Sequence, residues 1–591
     1  MSDSNVVAST DTSTLPNSKR KLSTEETDSN KMMQMPSLFL ECHPIDNPED
    51  LLGVVRSPPR WVQRVAPIAP RSEFVMQNKL SNCHTEKDQF GARKRLDART
   101  VPKTLVCHDY RGGYQADKYL HYPYEEIVGN GYTFYNWAQI DVFVYFSHHF
   151  ITIPPLCWIN AAHANGVKIL GTLITEFGDG KNTCDEKIFK DIRSMREFTL
   201  SLVELTRVFG FDGWLLNIEN RVDNVEVLKE FVPLLTEMLH QENSGSLVIW
   251  YDSVTVAGEL LWQNELNDKN RYFFDSCDGI FLNYSWNEQN LSKSAAEAKQ
   301  RHLDVYVGID VFGRNFFGGG MFNTHKAVDV AAKYNLSIAI FAPGWTHETL
   351  GNVDLFFEKF YNRDSAFWSS LWPYLYTHPL NNYFTTNFYI GLDKYCYNLF
   401  SQQHQLTEVL RPTLKLPEFS EIPNIKSQCD CLQSYILGSK NTCLITKENL
   451  RKDFDHIHYL FACDIKIIDN TVVFFLTKDP YGRTSALRIT LLVSGFNRSM
   501  RRIELLTEKK ENPLNNNSVL QVNPSESPDV VYSLKNRYYN KIVDDNWNLS
   551  VYVFNTTICD ILEIGGAIEN GDSLYLGAFG IENADGNFLK S

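Results

Sequence analysis

FDGWLLNIEN, residues Phe211 to Asn220, decides how this chain is read. Asp212 to Glu219 has the pattern of a strand, with Trp214, Leu215, Leu216 and Ile218 as its apolar body. It closes on two polar residues, Asn217 and Glu219, spaced by two. Side chains alternate across a strand, so these two share a face, roughly 7 Å apart along the chain. An amide and a carboxyl thus project together from the end of a strand that is otherwise apolar. Burying a carboxyl costs free energy unless something satisfies or uses it. A carboxyl with a raised pKa beside a positioned amide suits general acid/base chemistry. The pair alone also fits a strand end whose Asn caps the next helix while the Glu lies in solvent.

Glycosidases ordinarily use two carboxylates, and the strand offers one. Substrate-assisted enzymes dispense with the protein nucleophile, because the 2-acetamido oxygen of the sugar attacks the anomeric carbon. The protein must then orient the acetamide and stabilise the charge that spreads over it. An Asn amide accepts from the acetamide N–H and turns its dipole toward the developing oxazolinium. Glu219 then protonates the leaving oxygen and later deprotonates the incoming water.

FDGWLLNIEN resembles the catalytic strand of glycoside hydrolase family 85, the endo-β-N-acetylglucosaminidases. Further segments resemble that family in its own order: HDYRGGY at His108–Tyr114, KILGTLITEF at Lys168–Phe177, VIWYDS at Val248–Ser253, FLNYSW at Phe281–Trp286, YVGIDVFGR at Tyr306–Arg314 and FAPGWTHE at Phe341–Glu348. The resemblance begins near Leu40 and spans most of the first two thirds of the chain. It is closest to the cytosolic eukaryotic members. It implies Asn217 as orienter, Glu219 as acid/base, and hydrolysis of the β-1,4 bond in the N,N'-diacetylchitobiose core of N-glycans. Free oligosaccharides and glycoproteins are the implied substrates, the cytosol the implied compartment.

Short β-rich runs alternate with helical patterns between about residues 100 and 350. The expected strands are Thr104–His108, Ile140–Phe146, Val167–Ile174, Asp212–Glu219, Leu247–Asp252, Gly279–Tyr284, Val305–Asp310 and Ile338–Ala342. Among the helices, Asp185–Phe209 stops at Gly210, and Asn224–His240 contains Pro233, which predicts a kink or break. Eight β/α units over about 250 residues predict an α/β fold, a (β/α)8 TIM barrel, whose active site lies at the C-terminal ends of the strands. Three regions follow: a polar, disordered tail over 1–37, a catalytic barrel over 38–375, and a β-rich accessory region over 376–591. In the last, Thr471–Thr477, Ala486–Val493 and Trp547–Phe554 read as strands of one or two β-sandwich-like modules, and Asn512–Ser527 as a loop.

Other site candidates sit at the expected strand ends, with Asp252 and Tyr284 among the polar groups gathered there. Tyr251 ends the fifth strand; its phenol can donate to the acetamide oxygen, and the resemblance places the family's active-site tyrosine there. Trp262, Trp286 and Trp345 are candidates for stacking on sugar rings, Trp286 foremost because it directly follows a strand end. Glu176 closes the third strand and is a candidate for binding sugar hydroxyls. His108 and Asp310 are further binding candidates, each with a structural reading beside it. Gly318-Gly319-Gly320 lacks the Lys-Ser/Thr of a phosphate loop and reads as a flexible rim loop. Arg314-Asn315, Met321, Tyr389 and Leu392 depart from the family's usual pattern, which bears on glycan preference.

The net charge of −14 argues against nucleic acid or an anionic membrane as partner. No apolar h-region opens the chain and no run of about 18 apolar residues interrupts it, so neither a secretory signal nor a membrane span is expected. The 12 cysteines are scattered; Cys429-Asp-Cys431 has no second pair or nearby His for zinc, and reduced cytosolic thiols are expected. No metal and no cofactor are called for. The alternatives are a glycan-binding protein without turnover and a chitinase-like hydrolase. The latter class has Asp where Asn217 stands.

Overall fold

The computed structural model describes residues 41–78, 94–118, 132–314, 316–351, 356–386, 432–434, 443–446, 458–479, 482, 486–495, 499–539, 542–543, 546–555, 559–569 and 573–584. The N-terminal tail, Asn315, Tyr389, Leu392, Cys429 and Cys431 lie outside them.

Eight parallel strands close the central sheet, to which the short strand Ile151–Thr152 adds an antiparallel pairing with β3: β1 Thr104–Asp109, β2 Val142–Phe146, β3 Lys168–Glu176, β4 Gly213–Glu219, β5 Leu247–Tyr251, β6 Gly279–Leu282, β7 Val305–Asp310 and β8 Ser337–Phe341. Each pairs in parallel with the next, and β8 pairs in parallel with β1, so the sheet closes on itself. Helices follow most of the strands, as a TIM barrel requires. All eight expected strands are present, with ends displaced by a residue or two.

The strands bury both faces. Leu105, Leu170, Leu215, Ile249, Phe281 and Tyr306 belong to an inner apolar cluster. Their alternates Val106, Trp214, Trp250, Ile280 and Val307 pack in the larger cluster shared with the helices. The period of two therefore sets which side chains point inward, and at the C-terminal ends the inward positions become polar. At the opposite end of β4, Gly213 has φ 142°, and a Cβ there would lie 1.9 Å from the Leu247 carbonyl oxygen. No side chain fits where β4 first meets β5.

The helix after β3 covers Ile192–Phe209 rather than starting at Asp185. Asp191 is extended (φ −157°), and its carboxylate accepts the Ser194 N–H, a cap that separates this helix from the helical turns over 177–188. It ends at Gly210 in the left-handed region (φ 71°), as the sequence predicts. The helix Val225–Glu242 runs on through Pro233 instead of breaking there. Proline at 233 removes the N–H that would reach the Lys229 carbonyl; that oxygen accepts the Tyr272 hydroxyl at 3.2 Å.

Beyond the barrel, two sheets share one apolar core. One runs in the order 432–434, 443–446, 573–583, 471–478, 548–554, with 384–386 also paired to 573–583. The other runs 458–467, 559–569, 486–494, 500–505, 519–522. Phe461, Ile465, Val473, Phe475, Ile489 and Phe579 fill the space between them. The helix Pro528–Arg537 covers the far face of the first sheet through Val530 and Leu534. The stretch read as a loop over Asn512–Ser527 contains a short strand, Val519–Val522, paired in parallel with Met500–Leu505. Asp464 of the second sheet bonds the Ser72 hydroxyl (2.5 Å) and the Arg95 guanidinium, tying the sandwich to the segment that precedes β1. Seven described cysteines are free thiols, and all are buried.

Candidate active site

On β4 the inward positions are Leu215, Asn217 and Glu219. Leu215 fills the barrel interior, Asn217 lies above it at 4% exposure, and Glu219 reaches the mouth. The Asn217 amide Nδ2 donates to Glu219 Oε2 at 3.2 Å. The indole N–H of Trp262 donates to the other oxygen, Oε1, at 3.3 Å. Burial pushes the Glu219 carboxyl above its ordinary value; the neighbouring Glu176 charge adds to this, while Asn217, Trp262 and His148 oppose it. The result is a carboxyl held toward its protonated form with both oxygens already oriented.

Glu176 stands directly opposite Glu219 in the β3–β4 register. His148, just beyond the end of β2, places Nδ1 3.2 Å from Glu176 Oε2. That hydrogen bond raises the imidazole's pKa against the effect of its partial burial.

Tyr251, 5% exposed, ends β5 and donates its hydroxyl to Asn283 Oδ1 at 2.8 Å. Asn283 Nδ2 in turn donates to Asn264 Oδ1 at 2.7 Å. Burial foremost, then the nearby Glu219 and Asp252 carboxylates, push the phenol well above its ordinary value, so it stays a hydrogen-bond donor. Asp252 is buried beside it and pushed up to about 6 by desolvation. It accepts Asn270 Nδ2 at 2.9 Å and the backbone N–H groups of Gln263 (3.2 Å) and Asn264 (2.7 Å). This clamp fixes the loop that presents Trp262, which is 40% exposed at the rim.

The remaining candidates lie elsewhere. Trp286 is buried in the barrel wall: its N–H donates to the Gly308 carbonyl at 2.8 Å and its ring stacks on Phe317 at 5.3 Å. Trp345 is also buried, under the Arg363 guanidinium at 4.2 Å. Neither leaves a face open for a sugar ring. Asp310 accepts the N–H groups of Phe312 and Arg314 (both 3.1 Å) and pairs with the Arg314 guanidinium at 3.0 Å. It ties down the turn after β7. The glycine run closes that turn tightly: a Cβ on Gly320 would lie 2.5 Å from the Gly313 Cα.

His108 points away from the mouth. On β1 the inward positions are Leu105, Cys107 and Asp109, so His108 faces the helices, against Tyr132, Phe143 and Trp158. Its Nδ1 has no hydrogen-bond partner among the described residues, and burial pushes its pKa down to about 3. The sign follows from linkage. The folded chain keeps this imidazole neutral, so its contribution is intact above the unfolded value near 6.5 and is lost as pH falls toward 3. Between pH 7 and pH 5 the loss is about 2 kcal/mol. His108→Phe is expected to remove that part of the acid sensitivity, seen as a smaller drop in Tm between the two pH values.

Sequence reading missed His148, Asn283 and Asp109. His148 follows β2 within two residues of its end. Asn283 and Asp109 share the inward parity of Phe281 and Cys107. Counting parity through each strand end finds the last two. No group of three or more His, Cys, Asp or Glu among the described residues has the arrangement of a metal site.

The mouth thus offers a protonatable carboxyl, an amide beside it, a phenol donor on the next strand and an exposed indole. That set can pass a proton to and from one substrate atom while holding a polar group of the same substrate.

Comparison with known proteins adds to this geometry. The chain is 46% identical to a cytosolic endo-beta-N-acetylglucosaminidase of Mus musculus over 301 residues, covering 50% of this chain and 40% of that protein. It is 45% identical to the Homo sapiens protein of that name over 301 residues, with 50% and 39% covered. It is 46% identical to cytosolic endo-beta-N-acetylglucosaminidase 1 of Arabidopsis thaliana over 298 residues, with 49% and 42% covered. The chain therefore matches about two fifths of the length of these relatives. In fold it is similar to the glycoside hydrolase domain of Endo-D from Streptococcus pneumoniae R6, with a TM-score of 0.61 at 15% identity, covering 93% of this chain and 84% of that one. The family profile of glycosyl hydrolase family 85 matches residues 114–395, from just after β1 to beyond β8. Over residues 114–395, a little under half of its length, this chain is similar to glycosyl hydrolase family 85.

Proposed function

We propose that the chain is a retaining endo-β-N-acetylglucosaminidase that cleaves the β-1,4 bond between the two N-acetylglucosamines of an N-glycan core. The reading rests on one observation above all: the Asn217 amide lies 3.2 Å from a Glu219 carboxyl that burial holds toward its protonated form. The substrate's acetamide oxygen attacks the anomeric carbon as Glu219 gives its proton to the departing oxygen, and an oxazolinium forms. Glu219, now a carboxylate, takes a proton from water as water adds to the anomeric carbon, and the acetamide is restored. Asn217 Oδ1 accepts the acetamide N–H, which fixes the nucleophile's direction. Tyr251 donates to the acetamide oxygen, exchanging Asn283 for substrate.

Trp262 offers its ring at the rim for a core sugar. Of the other binding candidates, Glu176 faces the mouth beside Glu219, and Asp310 acts through the turn it holds. N-glycans on glycoproteins and free oligosaccharides in the cytosol are the proposed substrates. The relatives' names, which include "cytosolic", support that compartment. Among the described residues no helix is long and apolar enough to cross a membrane.

The test is mass spectrometry of a digested high-mannose glycopeptide. A single N-acetylglucosamine left on Asn is expected, with the released glycan first seen as the β-anomer by NMR. An unchanged glycopeptide, or an Asn stripped of all sugar, rejects the proposal; binding without release would make the chain a glycan-binding protein.

A further inference from the structure

Two carboxyls share the mouth on adjacent strands. Glu176 and Glu219 are direct partners in the β3–β4 register, both inward, with nothing between their strands but the hydrogen-bond ladder. A second carboxylate so close opposes the charge that Glu219 acquires when it gives up a proton. An imidazole stands against this charge. His148 lies 3.2 Å from Glu176 on the side away from β4, its ring half exposed and within electrostatic reach of Glu219.

The geometry points to His148 and Glu176 as positioning residues that together set the pH range over which Glu219 delivers and recovers its proton. This rests on the hydrolase reading above. Glu176 favours the protonated acid that starts the cycle. His148, as imidazolium, offsets Glu176 and makes room for the Glu219 carboxylate that appears once the leaving oxygen is protonated. Neither needs to touch the reacting atoms.

Other groups around Glu219 do not supply the same balance. Tyr251 on β5 is buried and Tyr284 after β6 half-buried, and both phenols remain neutral. Asp252 turns toward the loop over 263–270. Asp109 on β1 faces His148 from the far side, with Arg314 and Asp310 beyond it. It supports the imidazolium and is itself offset by Arg314. Trp262 donates a neutral hydrogen bond. Of the cationic groups in this circle, Arg314 keeps its charge and histidine is the one whose charge changes near neutral pH.

The two variants of the dyad have opposite signs. Glu176→Gln removes the opposing charge, so Glu219 loses its proton more readily and the basic limb of the kcat/KM profile moves to lower pH by roughly one unit. His148→Gln leaves Glu176 without its cation, and the limb moves to higher pH. The double variant follows Glu176→Gln, because without that carboxylate the imidazole loses its hydrogen-bond partner, and Asp109, offset by Arg314, does not replace it. Pairing that merely supports the fold would lower Tm or turnover and leave the limb in place.

The experiment is the pH–rate profile of the four proteins on a high-mannose glycopeptide, with thermal unfolding of each. Limbs displaced in opposite directions support the assignment. Limbs that coincide with wild type, or move the same way in both single variants, overturn it. Complete loss of turnover in folded Glu176→Gln also overturns it, since it makes Glu176 a nucleophile, with Glu219 as acid, in a two-carboxylate mechanism. Should wild type release no product, the hydrolase reading fails by itself. NMR titration of His148 in wild type and Glu176→Gln then decides the pairing: an imidazole that titrates at a lower pH in the variant supports it, and one that titrates identically overturns it.

Discussion

Glu219→Gln is expected to lower kcat on an N-glycan core by roughly three to four powers of ten, at the upper end of what a positioned general acid contributes. The amide fills the same space and cannot give up a proton at any working pH. Its structural cost is small. Asn217 Nδ2 and the Trp262 N–H each donate to one carboxylate oxygen, and a glutamine presents one oxygen and one NH2 in their place. One hydrogen bond is lost near the open rim, at a cost on the order of 1 kcal/mol. Against this stands the burial penalty of the carboxylate. Glu219 has a folded pKa above its ordinary 4.5, so its contribution to stability is fully present below that value and is lost as pH rises through the folded pKa. The amide escapes that loss. Steady-state turnover and Tm at pH 7 check both parts: kcat collapses and Tm does not fall. Turnover within tenfold of wild type would reject Glu219 as the acid.

Asn217→Ala is expected to reduce kcat by roughly 10²–10³, the effect of removing one preorganised hydrogen-bonding group aimed at transition-state charge. Two losses add. The acetamide loses the partner that fixes its angle of attack, and Glu219 loses the donor that holds its Oε2. Without that donor the carboxyl's pKa rises further, so the basic limb of the pH profile moves up while the maximum falls. The Trp262 bond remains to orient one oxygen. KM should change far less than kcat, because the sugar rings keep their rim contacts. A variant that loses affinity in proportion to rate would reassign Asn217 from orienting the nucleophile to general substrate binding.

Alternation along β4 made the shared inward face of Asn217 and Glu219 legible, since the apolar residues before them fix which face is inside. The same logic placed Tyr251 at a strand end and gave the eight-strand count. It failed where identity was read without direction. Trp286 follows a strand end, but its indole turns into the wall to reach the Gly308 carbonyl. His108 faces the helices while Asp109, one residue later, faces inward, and one residue on a strand is the difference between barrel interior and helix side. His148 carries no local signature, and Asn283 carries inward parity but nothing that names its partner. Each acquires its role from a partner 28 or 32 residues away, brought near by strand pairing that spacing in the chain does not encode. The helix boundary at Asp191 and the unbroken helix through Pro233 were decided by a side-chain cap and by a hydroxyl from Tyr272, the second a tertiary contact.

The bare Cα of Gly213, pressed against the Leu247 carbonyl, is an anchor bolt set at the floor of the barrel. Because β4 and β5 march upward in step from that point, Glu219 on one and Tyr251 on the other inherit their spacing from a residue at the far end of the barrel. Substitutions in the turn after Asp310 leave this footing untouched, whereas the loop that presents Trp262 still orients Glu219. A methyl group added at the footing would be felt one storey up, as Glu219 and Tyr251 drawn out of alignment in a mouth whose own residues had not changed.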